Sequence, residues 1–325
     1  MSYSHRIFIY GPVGLLLLVV ILYSVFWRVE ADMLAAKLDS ANGGEIIPGV
    51  VFAFAEKSIG GYPFRLDVVL SGVTFSNRGA AGETAWRTEK LAMHAMTYQS
   101  NLYVFESAGL QSIALPAPQG QPPRVTYITP GIARASALLR DGQLQRIDVD
   151  VWQAEGRDAS PTADPKRTFS AARAQLHLLN RMDDSIDVAM RVEGANLGEA
   201  YRPKLGGALP LFDLRGKLSQ SRELTDIQRG QKSPFDTVEQ WRQKGGLLAV
   251  EKLSLDWAGI KGDLSGTLGF DAAHRLDGVL LGTFDAASLV GALTGGRFSL
   301  QAGGGSKTAT LALRFKDGDV QLGTN

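Results

Sequence analysis

Histidines are the first residues to test for chemistry, because two of them on adjacent helical turns can bind a metal ion. The chain has four, His5, His94, His177 and His274, and no two of them lie four residues apart. It has no cysteine, which excludes thiolate nucleophiles, thiolate metal sites and disulfide bonds. We therefore expect no metal site and no cofactor, and we interpret the histidines as surface residues.

The sequence patterns of common catalytic sites are also missing. There is no phosphate-binding loop and no dinucleotide-binding fingerprint, and the stretch Gly262–Gly266 has the wrong spacing for a serine nucleophile elbow. Asp148 and Asp150 are paired carboxylates of the kind that catalyse acid–base reactions. Their spacing places them on the polar face of a strand, where solvation explains them, so we expect no catalytic residues and no enzymatic activity.

A long apolar segment precedes all of these residues. It runs from Ile7 to Trp27 without a charged residue, which is enough helix to cross a hydrocarbon core about 30 Å thick. We expect residues 1–28 to form a retained transmembrane anchor and residues 29–44 a stalk helix. The alternative is a cleaved signal peptide, since Val29-Glu30-Ala31 resembles a cleavage site, but the apolar run exceeds the usual 7–15 residues.

From residue 45 onward the hydrophobic period changes to two, which is typical of strands with one apolar and one polar face. This pattern predicts a mainly β region over residues 45–325, built from antiparallel sheet with a few short helices. A loop near residues 155–167 is a possible subdivision. Turns are predicted at Asn77-Arg78-Gly79, Asp141-Gly142, Asp277-Gly278 and Asp317-Gly318. Ser233-Pro234-Phe235-Asp236 predicts the capped start of one of the short helices. The clearest alternating runs are Leu66/Val68/Leu70, Ile147/Val149/Val151, Ile186/Val188/Met190/Val192 and Leu253/Leu255/Trp257.

The charge pattern excludes one class of partner. The formal net charge is +1, and lysine and arginine do not cluster. A nucleic-acid-binding surface must neutralise many phosphates, so we expect no nucleic-acid partner.

One ordered set of motifs carries a family resemblance. The set begins with Gly61, Tyr62, Pro63, Phe64 and Arg65, followed by Trp86-Arg87-Thr88, Trp241, Gly245-Gly246 and Leu253–Trp257. In this order the chain resembles the DUF2125 family of envelope proteins from Gram-negative, mainly alphaproteobacterial, cells. The resemblance covers most of the chain after the anchor, although residues 110–230 match by pattern alone. We interpret the first motif as a structural corner, because Pro63 suits the start of a strand and the glycines permit a tight turn.

The resemblance also implies an architecture and a location. DUF2125 proteins are similar in layout to the AsmA-like group, which has an extended, curved antiparallel sheet with an apolar groove and is implicated in lipid movement. This implies a single-pass inner-membrane protein with its large domain in the periplasm, and phospholipid or another lipid as partner. We expect the groove to be lined by Phe64, Leu66, Val68, Leu70, Leu253, Leu255 and Trp257. The alternative is a non-catalytic structural or protein-interaction component of the envelope, in which these side chains fill a closed core.

Overall fold

The computed structural model describes residues 3–79, 82–96, 99–116, 123–160, 167–181, 183–198, 206–228, 230, 232–285 and 308–323. The helices in these ranges are α1 (Tyr3–Ala41), α2 (Ser221–Gln228) and α3 (Pro234–Gln243). The strands are β1 (Gly44–Ile47), β2 (Val50–Ala53), β3 (Glu56–Gly60), β4 (Arg65–Gly79), β5 (Gly82–Met96), β6 (Gln99–Leu115), β7 (Arg124–Thr129), β8 (Ile132–Arg140), β9 (Gln143–Asp158), β10 (Thr168–Asn180), β11 (Ser185–Leu197), β12 (Ala208–Ser219), β13 (Leu248–Trp257), β14 (Ile260–Phe270), β15 (Leu276–Asp285), β16 (Thr308–Lys316) and β17 (Asp319–Gly323).

Helix α1 joins the predicted anchor and stalk without a break. Its part from Pro12 to Ala41 is long and apolar enough to cross a membrane. The helix ends at Ala41. Two residues later, Gly43 adopts a φ of 79°, a conformation that residues with a side chain rarely adopt. Asn42 then fastens the helix end to the sheet, because its amide donates to the Phe54 carbonyl at 3.1 Å and accepts from the Phe54 N–H at 2.9 Å.

The strands form one antiparallel sheet in which spatial order follows chain order. From β8 onward each strand pairs with the next along the chain, as far as β17. Near the start, β2 and β3 lie end to end against β4, and β7 and β8 share the space between β6 and β9. Strands β9 and β10 are hydrogen-bonded over most of their length, so the sheet continues across the predicted loop near 155–167.

Between β4 and β11, four residues with positive φ lie at the same level of the sheet. Gly72, Gly109, Gln153 and Gly194 all have positive φ, at 61°, 81°, 51° and 59°. They adjoin one another across the strands: Gly109 lies against Glu89 of β5, which faces Gly72 in the β4–β5 ladder. At this level the β5–β6 ladder also shifts register, between Thr88 and Lys90, as it does at a β-bulge, which bends a strand locally and increases its twist.

The apolar side chains are concentrated in two packed clusters toward the two ends of the sheet. The first cluster, which also contacts Leu34 and Leu38 of α1, contains Phe52, Phe54, Val68, Leu70 and Val73. The second cluster contains Val250, Leu253, Ile260, Leu264, Leu280 and Phe284. Among the described pairings, β1 bonds only with β2 and β17 bonds only with β16. The sheet is therefore open at both edges and does not close around a single core.

Candidate functional site

The predicted groove residues occupy three different environments. Val68 and Leu70 are buried in the first cluster, with exposed fractions of 1% and 5%, and Leu66 beside them is half-buried. Leu253 is buried in the second cluster, and Leu255 packs against it. Trp257 is half-buried and donates its indole N–H to the Gly206 carbonyl at 2.9 Å, whereas Phe64 is 70% exposed. The structure does not bring these residues together into one groove, and their contact with lipid stays a prediction.

Accessible apolar surface lies instead on the strands between the clusters. We call this surface the central apolar face. It consists of the apolar residues that alternate along β9, β10 and β11 and share one side of the sheet. Its members are Ile147, Val149, Val151, Leu176, Leu178, Ile186, Val188, Met190 and Val192. Cross-strand pairing places Val149, Leu176 and Met190 in one row. Among the members, Met190 is exposed and the others are half-buried, unlike the valines of the first cluster.

A cavity marks each end of these strands. A cavity of about 700 Å³ adjoins the end of β9, the start of β10 and the end of β11. Its lining residues include Tyr127, Arg157, Phe169 and Asn196. A smaller cavity of about 80 Å³ lies at the opposite end, between Ile147 and Leu178 of the central apolar face and helix α2. The larger cavity has the size of an ordinary ligand pocket.

On the opposite, polar face of the same strands, basic and acidic side chains of β9 and β10 form pairs. Arg173 donates to Asp150 through two hydrogen bonds of 2.9 and 2.8 Å, and its guanidinium lies 4.1 Å from the centre of the Trp152 ring. The hydrogen bond from Arg173 is the main cause that lowers the pKa of Asp150 below its usual value. His177 contacts Asp148 at 2.8 Å. Asp148 and Asp150 are thus on the polar face, as predicted, and each is engaged by a basic neighbour.

Two of the other three histidines also lie beside carboxylates. His94 Nδ1 is 2.7 Å from Asp67, and His274 Nε2 is 2.9 Å from Glu239. His5 falls outside the residues whose side chains are described. Within the described part of the chain, no group of three histidine, aspartate or glutamate side chains is arranged to hold a metal ion.

The Gly61–Arg65 motif lies against helix α1. The Tyr23 hydroxyl donates to the Pro63 carbonyl at 2.5 Å, and the Trp27 indole N–H donates to the Arg65 carbonyl at 2.9 Å. The Trp27 and Tyr62 rings meet edge to face, with centroids 5.5 Å apart. The motif includes turn residues that precede β4, and it contacts the apolar helix. Sequence reasoning missed this contact because the two segments are some 38 residues apart.

The later motifs build the helical insertion between β12 and β13. The Ser233 hydroxyl accepts the N–H of Asp236 and caps α3, as predicted. Trp241 is 4% exposed and donates its indole N–H to the Ser219 carbonyl at 2.7 Å. A Cβ on Gly246 would lie 2.2 Å from this indole ring, so the glycine is required for close packing.

The fold and the site define a class of protein: an open antiparallel meander with an unfilled apolar face, preceded by a helix able to span a membrane. The chain belongs to the DUF2125 family, described as uncharacterized proteins conserved in bacteria, whose model matches residues 27–324. A search of curated proteins and a search of solved structures returned no match.

Proposed function

We propose that this protein is anchored by α1 in the bacterial inner membrane and binds lipid on the central apolar face, on the periplasmic side, in order to transfer or organise envelope lipids. The observation that supports this is the contrast in burial between the two clusters and the strands that separate them. Both clusters contain fully packed side chains, whereas Val149, Leu176 and Val188 remain half-buried. An apolar face left partly open in water favours an apolar ligand.

The chemistry of the face favours an acyl chain over a polar substrate. Its side chains are aliphatic, and burial of each methylene contributes about 0.8 kcal/mol. Ten methylenes lying along the face would contribute roughly 8 kcal/mol before the cost of ordering the chain is subtracted. The head group would remain in water. The proposal assigns the protein no catalytic reaction.

The test uses the full chain in nanodiscs that contain a phospholipid with a photoreactive acyl chain. After irradiation, the labelled peptides are identified by mass spectrometry, which separates lipid attached to α1 from lipid attached to the sheet. We expect labelling of peptides from β9 to β11. Labelling confined to α1 would contradict the proposal and would favour the structural or protein-interaction alternative.

A pair of adjacent substitutions sharpens the test. Val188→Glu places a charge on the central apolar face, between Leu178 and Gly216, and should remove most sheet labelling. Ala189→Glu is the matched control, because its side chain points to the polar face between His177 and Arg215. Equal labelling of the two variants would show that lipid does not lie on this face.

A further inference from the structure

The Gly61–Arg65 loop meets α1 at the end of its apolar segment. Its contacts are with Tyr23 and Trp27, and Arg28 is the first charged residue after the run. Arg28 lies five positions after Tyr23, which is about 7.5 Å along the helix axis. The interfacial layer of a bilayer is roughly 5–8 Å thick on each side. If Arg28 lies among the head groups, the loop therefore lies at the depth of the interface.

The backbone of the loop suits a region that contains little water. The Pro63 and Arg65 carbonyls accept hydrogen bonds from Tyr23 and Trp27, and the Gly61 carbonyl accepts the N–H of Arg65 at 2.9 Å. Pro63 has no N–H to satisfy. Unsatisfied backbone groups are costly at membrane depth, and helix and loop together remove several of them.

The side chains of the loop suit the same location. Tyr62 is 49% exposed and Phe64 is 70% exposed, and aromatic residues are enriched at membrane interfaces. The Tyr62 hydroxyl lies 2.6 Å from the Ser24 hydroxyl of the helix. We propose that this loop is a second membrane-contact element, whose aromatic side chains enter the bilayer interface beside α1. The inference rests on the anchoring part of the proposed function, and it adds an orientation of the sheet on the membrane.

The absence of cysteine makes a clean test possible with single-cysteine variants of the full chain. A nitroxide spin label is attached to Phe64→Cys in phosphatidylcholine nanodiscs. Power saturation then compares its collisions with oxygen, which concentrates in the bilayer, and with a water-soluble nickel chelate. Leu18→Cys, within the apolar run, is the reference for a membrane position.

Phe235→Cys is the matched control outside the membrane. Phe235 is also an exposed phenylalanine, at 49%. It is the second residue of α3, whose N-cap Ser233 lies near Gly49, and Gly49 also lies near Asn77 at the far end of β4. Up to about 40 Å of extended strand separates Asn77 from Arg65.

We expect an oxygen-to-nickel collision ratio several-fold higher at position 64 than at position 235, approaching the ratio at position 18. A ratio at 64 equal to that at 235, with a high ratio at 18, would overturn the inference while leaving the anchor in place. A low ratio at all three positions would overturn both the inference and the anchoring. The labelling of β9 to β11 by the photoreactive phospholipid tests lipid binding separately, so failure of this inference and failure of the lipid-binding proposal can be distinguished.

Discussion

The same substitution in two similar strands should have different effects on stability. Val68→Ala and Val188→Ala each remove two methyl groups. Val68 is 1% exposed within the first cluster, so its loss combines about 1.6 kcal/mol of transfer free energy with a cavity term, giving about 2–2.5 kcal/mol. Val188 is half-buried on the central apolar face, so we expect about 0.5–0.8 kcal/mol and no enclosed cavity.

The measurement is the free energy of unfolding from urea titrations of the full chain in mild detergent, followed by tryptophan fluorescence. The two variants should share the slope of the wild-type transition and differ in its midpoint. Added phospholipid should stabilise the wild type and Val68→Ala more than Val188→Ala, because the last has a smaller lipid-contact area. Equal destabilisation by the two substitutions would mean that the central apolar face is packed as tightly as the clusters, and the reasoning for a lipid site would be refuted.

Three further substitutions test the local architecture. Gly246→Ala should destabilise the protein by about 1–3 kcal/mol in thermal unfolding, since the new methyl group overlaps the Trp241 ring. Asn42→Ala removes both side-chain hydrogen bonds between Asn42 and the Phe54 backbone and should cost about 2 kcal/mol in the same assay. Glu239→Gln tests a pKa: the hydrogen bond from Arg242, then that from Gln243, lowers the pKa of Glu239 to about 2. The carboxylate therefore stabilises the fold above pH 4.5, and the difference in melting temperature between Glu239→Gln and wild type should vanish as the pH falls toward 2.

Local chemistry made several elements predictable from the sequence. The Asp141-Gly142 and Asp317-Gly318 pairs form hairpin turns, with positive φ at both residues of each pair. The capped start of α3 at Ser233 was predicted for the same reason, because one side chain satisfies a nearby backbone N–H.

Other elements depended on neighbours that the sequence does not show. Asp277-Gly278 was predicted as a turn and lies inside β15. Gly278 is required there because a Cβ would lie 2.2 Å from the Thr267 carbonyl of the neighbouring strand β14. Asn77-Arg78-Gly79 was likewise predicted as a turn and lies inside β4. Helix α2 was missed, because only two of its eight residues, Leu224 and Ile227, are apolar, which is too few to establish a helical period in the sequence.

The candidate site was the least predictable feature. Val68 and Val188 occur in alternating runs that look alike in sequence, yet one is buried and the other is half-exposed. Alternation shows which side chains share a face, but burial depends on what covers that face. Here α1 packs on the first cluster through Leu34 and Leu38, whereas within the described ranges the central apolar face meets a helix at one end only, where α2 lies beside Ile147 and Leu178.

The agreement between chain order and strand order has a consequence for biogenesis. From β8 onward, each new strand finds its partner in the strand synthesised just before it. Contact order is therefore low for an all-β protein, and the loop-closure entropy of each pairing step is small. Such a sheet can lengthen strand by strand as the polypeptide emerges, and under the proposed anchoring α1 would already hold the nascent chain at one place. At each stage a single growing edge needs protection from aggregation, which limits the demand on chaperones.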